Sequence, residues 1–290
     1  MAWLHRTWSR LRALARPMPE IPAALWLQVL QKYPFLQVLS LEEKAKLRAL
    51  SALFLRQKQF SGAHGLVVSD AMALTIAAQA CVPLLHRGEA QQAIALYDDF
   101  VGIVVHPGTM VAARDMHDEA GLVSHRRMML EGEAMQHGPV TLSWAAIAQD
   151  PLLQNERGTS VVIHEFCHKI DMRNGGADGY PTLPGHFLGL ASATEARQTW
   201  ERTWASSFQA FGHAIAKAQR FGEPAPWLDS YGATAPAEFF AVACEAFFVN
   251  RSHFAQEWPQ LDRMLAGLFR PDAGHPDAGR PDAGRPPAKH

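Results

Sequence analysis

The segment Ser160–Gly176, SVVIHEFCHKIDMRNGG, sets two histidines four residues apart within an apolar run. Residues four apart are neighbours on one helix face, so the imidazoles of His164 and His168 can converge on a single ion. Val161, Val162, Ile163, Phe166, Cys167 and Ile170 give this helix a buried context, and Asn174-Gly175-Gly176 gives it a stop. Neutral imidazole nitrogen is a preferred zinc donor, and catalytic zinc commonly takes three protein ligands plus a water. Glu165 directly follows the first histidine. From there it can stand beside an ion without binding it and take a proton from water, as His-Glu-x-x-His helices do in metal-assisted hydrolysis. The competing reading is a partly buried helix carrying two incidental histidines.

A third ligand must come from elsewhere. The extended motif with a nearby third histidine needs glycine at 171 and histidine at 174, where this chain has Asp171 and Asn174. A remote carboxylate is the other common solution. Downstream, DSYGATAPAEFFAVACEAFF (229–248) offers Thr234 and Pro236 as helix-start residues, with Glu238 in the first turn. Glu238, Val242 and Glu245 share one face of an otherwise apolar helix. A carboxylate there is costly unless paired or coordinated, so both glutamates are candidates and spacing does not choose between them.

The rest of the sequence narrows the setting. Of 290 residues, 48% are apolar and 19% charged, with a formal net charge of −1. That balance fits a globular protein and gives no global electrostatic case for nucleic acid or an acidic partner. Cys81, Cys167 and Cys244 form no Cys-x-x-Cys pair, which argues for a reducing compartment and against both a disulfide framework and a thiolate zinc site. The longest apolar stretch, Ala71 to Leu85, is interrupted by Gln79 and Pro83 and reads as a buried helix rather than a membrane span. The N-terminus lacks the continuous apolar core of a secretory signal, so a cytoplasmic location is expected.

Three zones follow. Residues 1–34 form a basic, proline-rich N-terminal segment in which Trp3, Leu4, Trp8, Leu11 and Ala15 recur at helical spacing among Arg6, Arg10, Arg12 and Arg16. Such a helix over residues 3–16 can touch an anionic membrane surface, but one short segment binds weakly. We read it as packed on the main domain or frayed in solvent. Residues 35–270 read as one folded domain. Ser40 and Glu43 make a capping box ahead of Leu47, Leu50 and Phe54, and short strands are expected over 102–107 and 138–144. Strands that precede the principal helices favour an α+β fold over a doubly wound sheet. Residues 271–290 repeat a Pro-Asp-Ala-Gly unit with almost nothing to bury and are expected to be disordered.

Four segments, HEFCHKIDMRNG, YGATAPAEFFAVACEAFF, QHGPVTLSW and LEEKAKLRALSALFLRQKQF, resemble in sequence and order the Mlc titration factor A family of zinc-dependent peptidases. The resemblance covers most of residues 35–270. It implies a zincin-like metallopeptidase fold with a small sheet and a second ligand-bearing helix. It also implies that His164, His168 and Glu238 bind Zn2+, that Glu165 is the catalytic base, and that Tyr231 is the family's tyrosine seven residues before the ligand glutamate. Glu245 is left as a carboxylate behind the ligands. The implied activity is aminopeptidase-like cleavage of small peptides. A second implied role is binding and sequestering a transcriptional repressor of sugar-uptake genes, with catalysis secondary.

Four smaller expectations complete the reading. Asp171 either holds a ligand imidazole by its free N–H or ends the helix in solvent. The segment 138–144 either offers an edge to an extended peptide or is an ordinary core strand. Cys167 is a buried small hydrophobe. His64, His125, His186 and His213 have no partner spacing and belong to surface or loops.

Overall fold

The structure, a computed structural model, describes residues 18–117, 123–130 and 132–271. The basic segment 3–16 and the repeat beyond Pro271 lie outside the described residues. Helices α1 (Ala23–Lys32), α2 (Pro34–Gln37) and α3 (Leu41–Gln57) open the chain. The capping box at α3 is formed in both directions. Ser40 Oγ accepts from Glu43 N, and the Glu43 carboxylate accepts from Ser40 N at 2.8 Å. The core begins ahead of α3, because Ile21, Trp26, Val29, Leu30 and Tyr33 are buried in the same apolar cluster as the rest. The Tyr33 hydroxyl donates to Ile147 O, far along the chain.

Strand β1 (Gln59–Gly62) leads into α4 (Asp70–Cys81), then α5 (Ala90–Ile94), then β2 (Gly102–His106), which pairs parallel with β1. The apolar stretch expected as a buried helix is α4. It stops at Cys81, and a single 3-10 turn over Val82–Leu84 follows, since Pro83 cannot donate to a continuing helix. An antiparallel pair, β3 (Met110–His117) and β4 (Val123–Leu130), forms a separate two-stranded ribbon. Strands β5 (Gly132–Ala134) and β6 (Val140–Ser143) complete a mixed four-stranded sheet of order β1-β2-β6-β5. The fold is therefore α+β, mostly helical around this small sheet.

The sheet order decides between the two readings of 138–144 in favour of a core strand. Strand β6, which lies in that segment, is paired with β2 on one side and β5 on the other. It is an inner strand with Val140 and Leu142 fully buried, and the free edge on that side of the sheet belongs to β5.

The remaining helices are α6 (Trp144–Ile147), α7 (Pro151–Arg157), α8 (Val161–Asp171), α9 (Ala193–Phe221), α10 (Pro236–Val249), α11 (Arg251–Glu257) and α12 (Pro259–Phe269). Helix α8 carries the histidine motif and packs against α10, α4 and β5. It ends at Asp171 in a 3-10 turn, and the chain escapes through Gly175 at φ 154°. Pro236 occupies the first turn of α10, as expected, but Thr234 does not cap it. The Thr234 hydroxyl donates to Tyr231 O instead, and Ala235 takes the cap position. Among the described residues, no helix is long and apolar enough to cross a membrane.

Candidate metal centre

Helix α8 starts where Ser160 accepts from Ile163 N through its hydroxyl. The Ser160 N–H donates in turn to Glu245 Oε2 at 2.6 Å, and its hydroxyl lies 2.7 Å from Gln79 Oε1. These contacts tie the beginning of α8 to α10 and α4. They fix which face of α8 turns inward, so that His164, Glu165 and His168 are all buried.

Opposite them, α10 presents Glu238 from its first turn. Glu238 Oε2 lies 3.1 Å from His164 Nε2 and 3.2 Å from His168 Nε2, and the two nitrogens are 3.2 Å apart. Atoms bound tetrahedrally to one ion at about 2.0–2.1 Å stand about 3.3–3.4 Å from one another, so this triangle has the size of one face of a zinc site. Three lone-pair atoms this close repel one another unless a proton or a metal ion lies among them. Among the described residues, these three side chains are the one His/Cys/Asp/Glu group able to hold a metal ion.

The two glutamates that spacing could not separate meet opposite ends of the same imidazole. Glu245 Oε1 sits 2.7 Å from His164 Nδ1, while Glu238 faces Nε2. A carboxylate at Nδ1 holds the proton on that nitrogen and leaves the Nε2 lone pair free for an ion. Burial raises the Glu238 carboxyl, but its contacts with the His164 and His168 imidazoles outweigh that and hold the pKa well below the carboxylate range. Burial also opposes a charged His164 imidazole, yet Glu245 and Glu238 hold its pKa well above the ordinary histidine value. Glu165 is pushed upward by burial, against the pull of the same two imidazoles.

Asp171 does not hold an imidazole. Its Oδ2 accepts from the N–H groups of Asp178 and Gly179, at 2.9 and 2.8 Å, and so pins the loop after α8. His168 Nδ1 and Asp171 Oδ1 are both buried without a hydrogen-bond partner among the described residues. Burial raises the Asp171 carboxyl from 3.8 to about 6, opposed by the Gly179 N–H.

Tyr231 lies on a 3-10 turn, Ser230–Ala233, capped by Asp229, whose Oδ1 accepts from Tyr231 N. Its ring centroid is 6.0 Å from that of His164. A cleft of about 560 Å³ joins these groups, lined by Gly132, Glu133 and Ala134 of β5, by His164, Glu165 and His168, and by Tyr231 and Glu238. Cys167 is fully buried, as its place on the inner side of α8 requires. His64, His186 and His213 are exposed. Two features of the site carried no signal in the chain pattern. These are the Gln79–Ser160–Glu245 network and the approach of β5 to Glu165, both of which depend on contacts between distant segments.

The model of the family described as glucose-regulated metallo-peptidase M90 matches residues 5–270. Mlc titration factor A of Salmonella typhimurium (strain LT2) is 33% identical over 240 residues, covering 82% of this chain and 83% of that protein. Mlc titration factor A of Escherichia fergusonii is 32% identical over 229 residues, or 79% of each. Similarity of that extent, spanning both site-bearing helices and the sheet between the termini, settles kinship: the chain belongs to the M90 metallopeptidase family, that of Mlc titration factor A.

Proposed function

We propose that the protein hydrolyses peptide bonds using zinc held by His164, His168 and Glu238, with Glu165 as general base. The observation that carries this reading is the 3.1–3.2 Å triangle of Nε2, Nε2 and Oε2 beside a buried carboxylate that is not part of it. Zinc in such a site supplies a Lewis acid that acidifies water and polarises a carbonyl. Glu165 takes a proton from the attacking water and delivers it to the departing amine. A carboxyl raised by burial is better matched to both halves of that task than a solvated one. Tyr231, on the cleft wall beside His164, donates a hydrogen bond to the carbonyl oxygen as negative charge gathers there. Glu245 keeps His164 in the tautomer that offers Nε2.

The substrate is read as a small peptide cleaved from its amino end. An extended peptide can add to the edge of β5, which lines the cleft. The catalytic unit is read as the packed chain ending near Arg270, with Ile21 to Tyr33 in the same core and the repeat tail outside it. Three free cysteines, all buried, support a reducing and hence cytoplasmic setting.

Glu165→Gln tests the hydrolytic reading. The variant should hold about one zinc per chain and lose turnover of a peptide library by orders of magnitude, while wild type should prefer free over N-acetylated peptides. Surviving turnover would remove Glu165 from the mechanism. A second reading rests on the name of the relatives, which describes a factor that titrates Mlc. On that reading this chain binds a transcriptional repressor, and Glu165→Gln should capture the repressor as well as wild type does.

A further inference from the structure

Gly132 is buried at the start of β5, directly against the carboxylate assigned above as general base. A methyl group at this position would lie 2.5 Å from Glu165 Oε1, 2.6 Å from Cγ and 2.7 Å from Cδ. Each distance is well inside van der Waals contact, so a side chain at 132 and the present place of the Glu165 carboxylate exclude one another. We propose that Gly132 is a positioning residue for catalysis, and that its missing side chain is the gauge that sets where the Glu165 carboxylate stands in the cleft. This inference rests on the reading of Glu165 as the base.

The strand cannot relieve the clash by backing away. It is paired along its length with β6, Gly132 to Leu142, Glu133 to Thr141 and Ala134 to Val140. Just past its other end, Met135 O accepts from Lys169 Nζ at 3.0 Å, and that lysine is fully buried and ion-paired to Asp99 Oδ2 at 2.6 Å. Glu165 and Lys169 are four apart on α8 and so share a face. One helix face therefore grips β5 at two points, through Glu165 at Gly132 and through Lys169 at Met135.

What can move is the Glu165 side chain, which has three rotatable bonds and ends in the cleft. Displacing it moves side-chain atoms from Cγ outward and no backbone, so the fold yields more readily than it would to a backbone clash. The reaction is less tolerant. A shift of about 1 Å in a reacting group can lower the rate by about a hundredfold.

The test is a cycle of Gly132→Ala, Glu165→Ala and the double variant, each assayed for zinc content, thermal midpoint, kcat and KM on one peptide. Gly132→Ala should hold one zinc per chain and keep KM within about twofold, with kcat down by about ten- to a hundredfold. A merely structural glycine would lower stability without separating kcat from KM. In the Glu165→Ala background the methyl enters vacated space, so adding Gly132→Ala should change neither the residual kcat nor the midpoint.

A Gly132→Ala enzyme with wild-type kcat overturns the proposal. So does a double variant less stable than Glu165→Ala, because the methyl would then be clashing with something else. If Gly132→Ala alone does not fold, the double variant decides: folding with the midpoint of Glu165→Ala sustains the proposal, and unfolding ends it. Retained activity in Glu165→Ala would instead strike the general-base reading, whereas an inactive Glu165→Ala beside a fully active Gly132→Ala would strike the gauge alone.

Discussion

Helix α8 buries charge on two sides, and the two sides handle it differently. On one, His164 and His168 meet Glu238 with three lone-pair atoms at 3.1–3.2 Å. On the other, Lys169 ion-pairs with Asp99 and donates to Met135 O, while Lys58 donates to Tyr97 O and to Phe100 O. Both ammonium groups also lie over the Phe100 ring, at 3.8 Å for Lys58 and 4.6 Å for Lys169. The lysine side brings its own donors and cations to its acceptors. Its business is to hold the loop around Asp99 and the end of β5 onto the helix. The histidine side assembles acceptors around a common point, an arrangement that makes sense when a cation is recruited from outside. A buried polar cluster is therefore diagnosed by its balance of donors and acceptors rather than by its burial.

That contrast can be broken by substitution. Lys169→Met should have the largest effect on stability, about 3 kcal/mol or more, because it leaves Asp99 buried opposite a methyl group. As long as the chain stays folded it should still bind one zinc, as read by denaturant unfolding with parallel metal analysis. Loss of zinc from a stable Lys169→Met protein would mean the two sides are one functional unit. Glu245→Gln should act the other way round. It keeps an acceptor for His164 Nδ1 but loses one for Ser160 N, so stability should fall by only about 1–2 kcal/mol. Zinc affinity should weaken by about ten- to a hundredfold in competition with a chelating dye.

A pH series sharpens the lysine side. Burial, opposed by Asp99, lowers the Lys58 pKa from 10.5 to about 7. The folded chain thus releases this proton near pH 7, and the unfolded chain keeps it to about pH 10.5. Between those values the unfolded state binds more protons, so the Lys58 contribution to stability rises with pH across that window. Comparing unfolding curves of wild type and Lys58→Met from pH 7 to 10 isolates it. An unchanged slope in the variant would show that Lys58 is not the group responsible.

What could be read from the chain was what neighbouring residues decide together. The Ser40–Glu43 capping box, the first-turn Pro236 and the four-residue spacing of His164 and His168 are local patterns, and each stands where it was expected. The choices left open involve long-range partners. Glu238 and Glu245 share a helix face, and what distinguishes them is which end of the His164 ring each one meets. Asp171 has the spacing to serve a histidine, but the loop at Asp178 and Gly179 brings it two backbone N–H groups first. The 138–144 strand is inner rather than edge because β2 and β5 arrive from other parts of the chain. Gly132, a lone glycine within a short polar run, has meaning only once β5 lies against Glu165.

The central claim is that His164, His168 and Glu238 form a catalytic zinc site. The most direct measurement is peptide hydrolysis by the purified chain, followed alongside its zinc content through chelation and zinc restoration. The account predicts about one zinc per chain, loss of hydrolysis in step with loss of the metal, and recovery of both in wild type but not in Glu238→Ala. Hydrolysis that continues in fully chelated protein, or a Glu238→Ala variant that binds zinc as tightly as wild type, would contradict it.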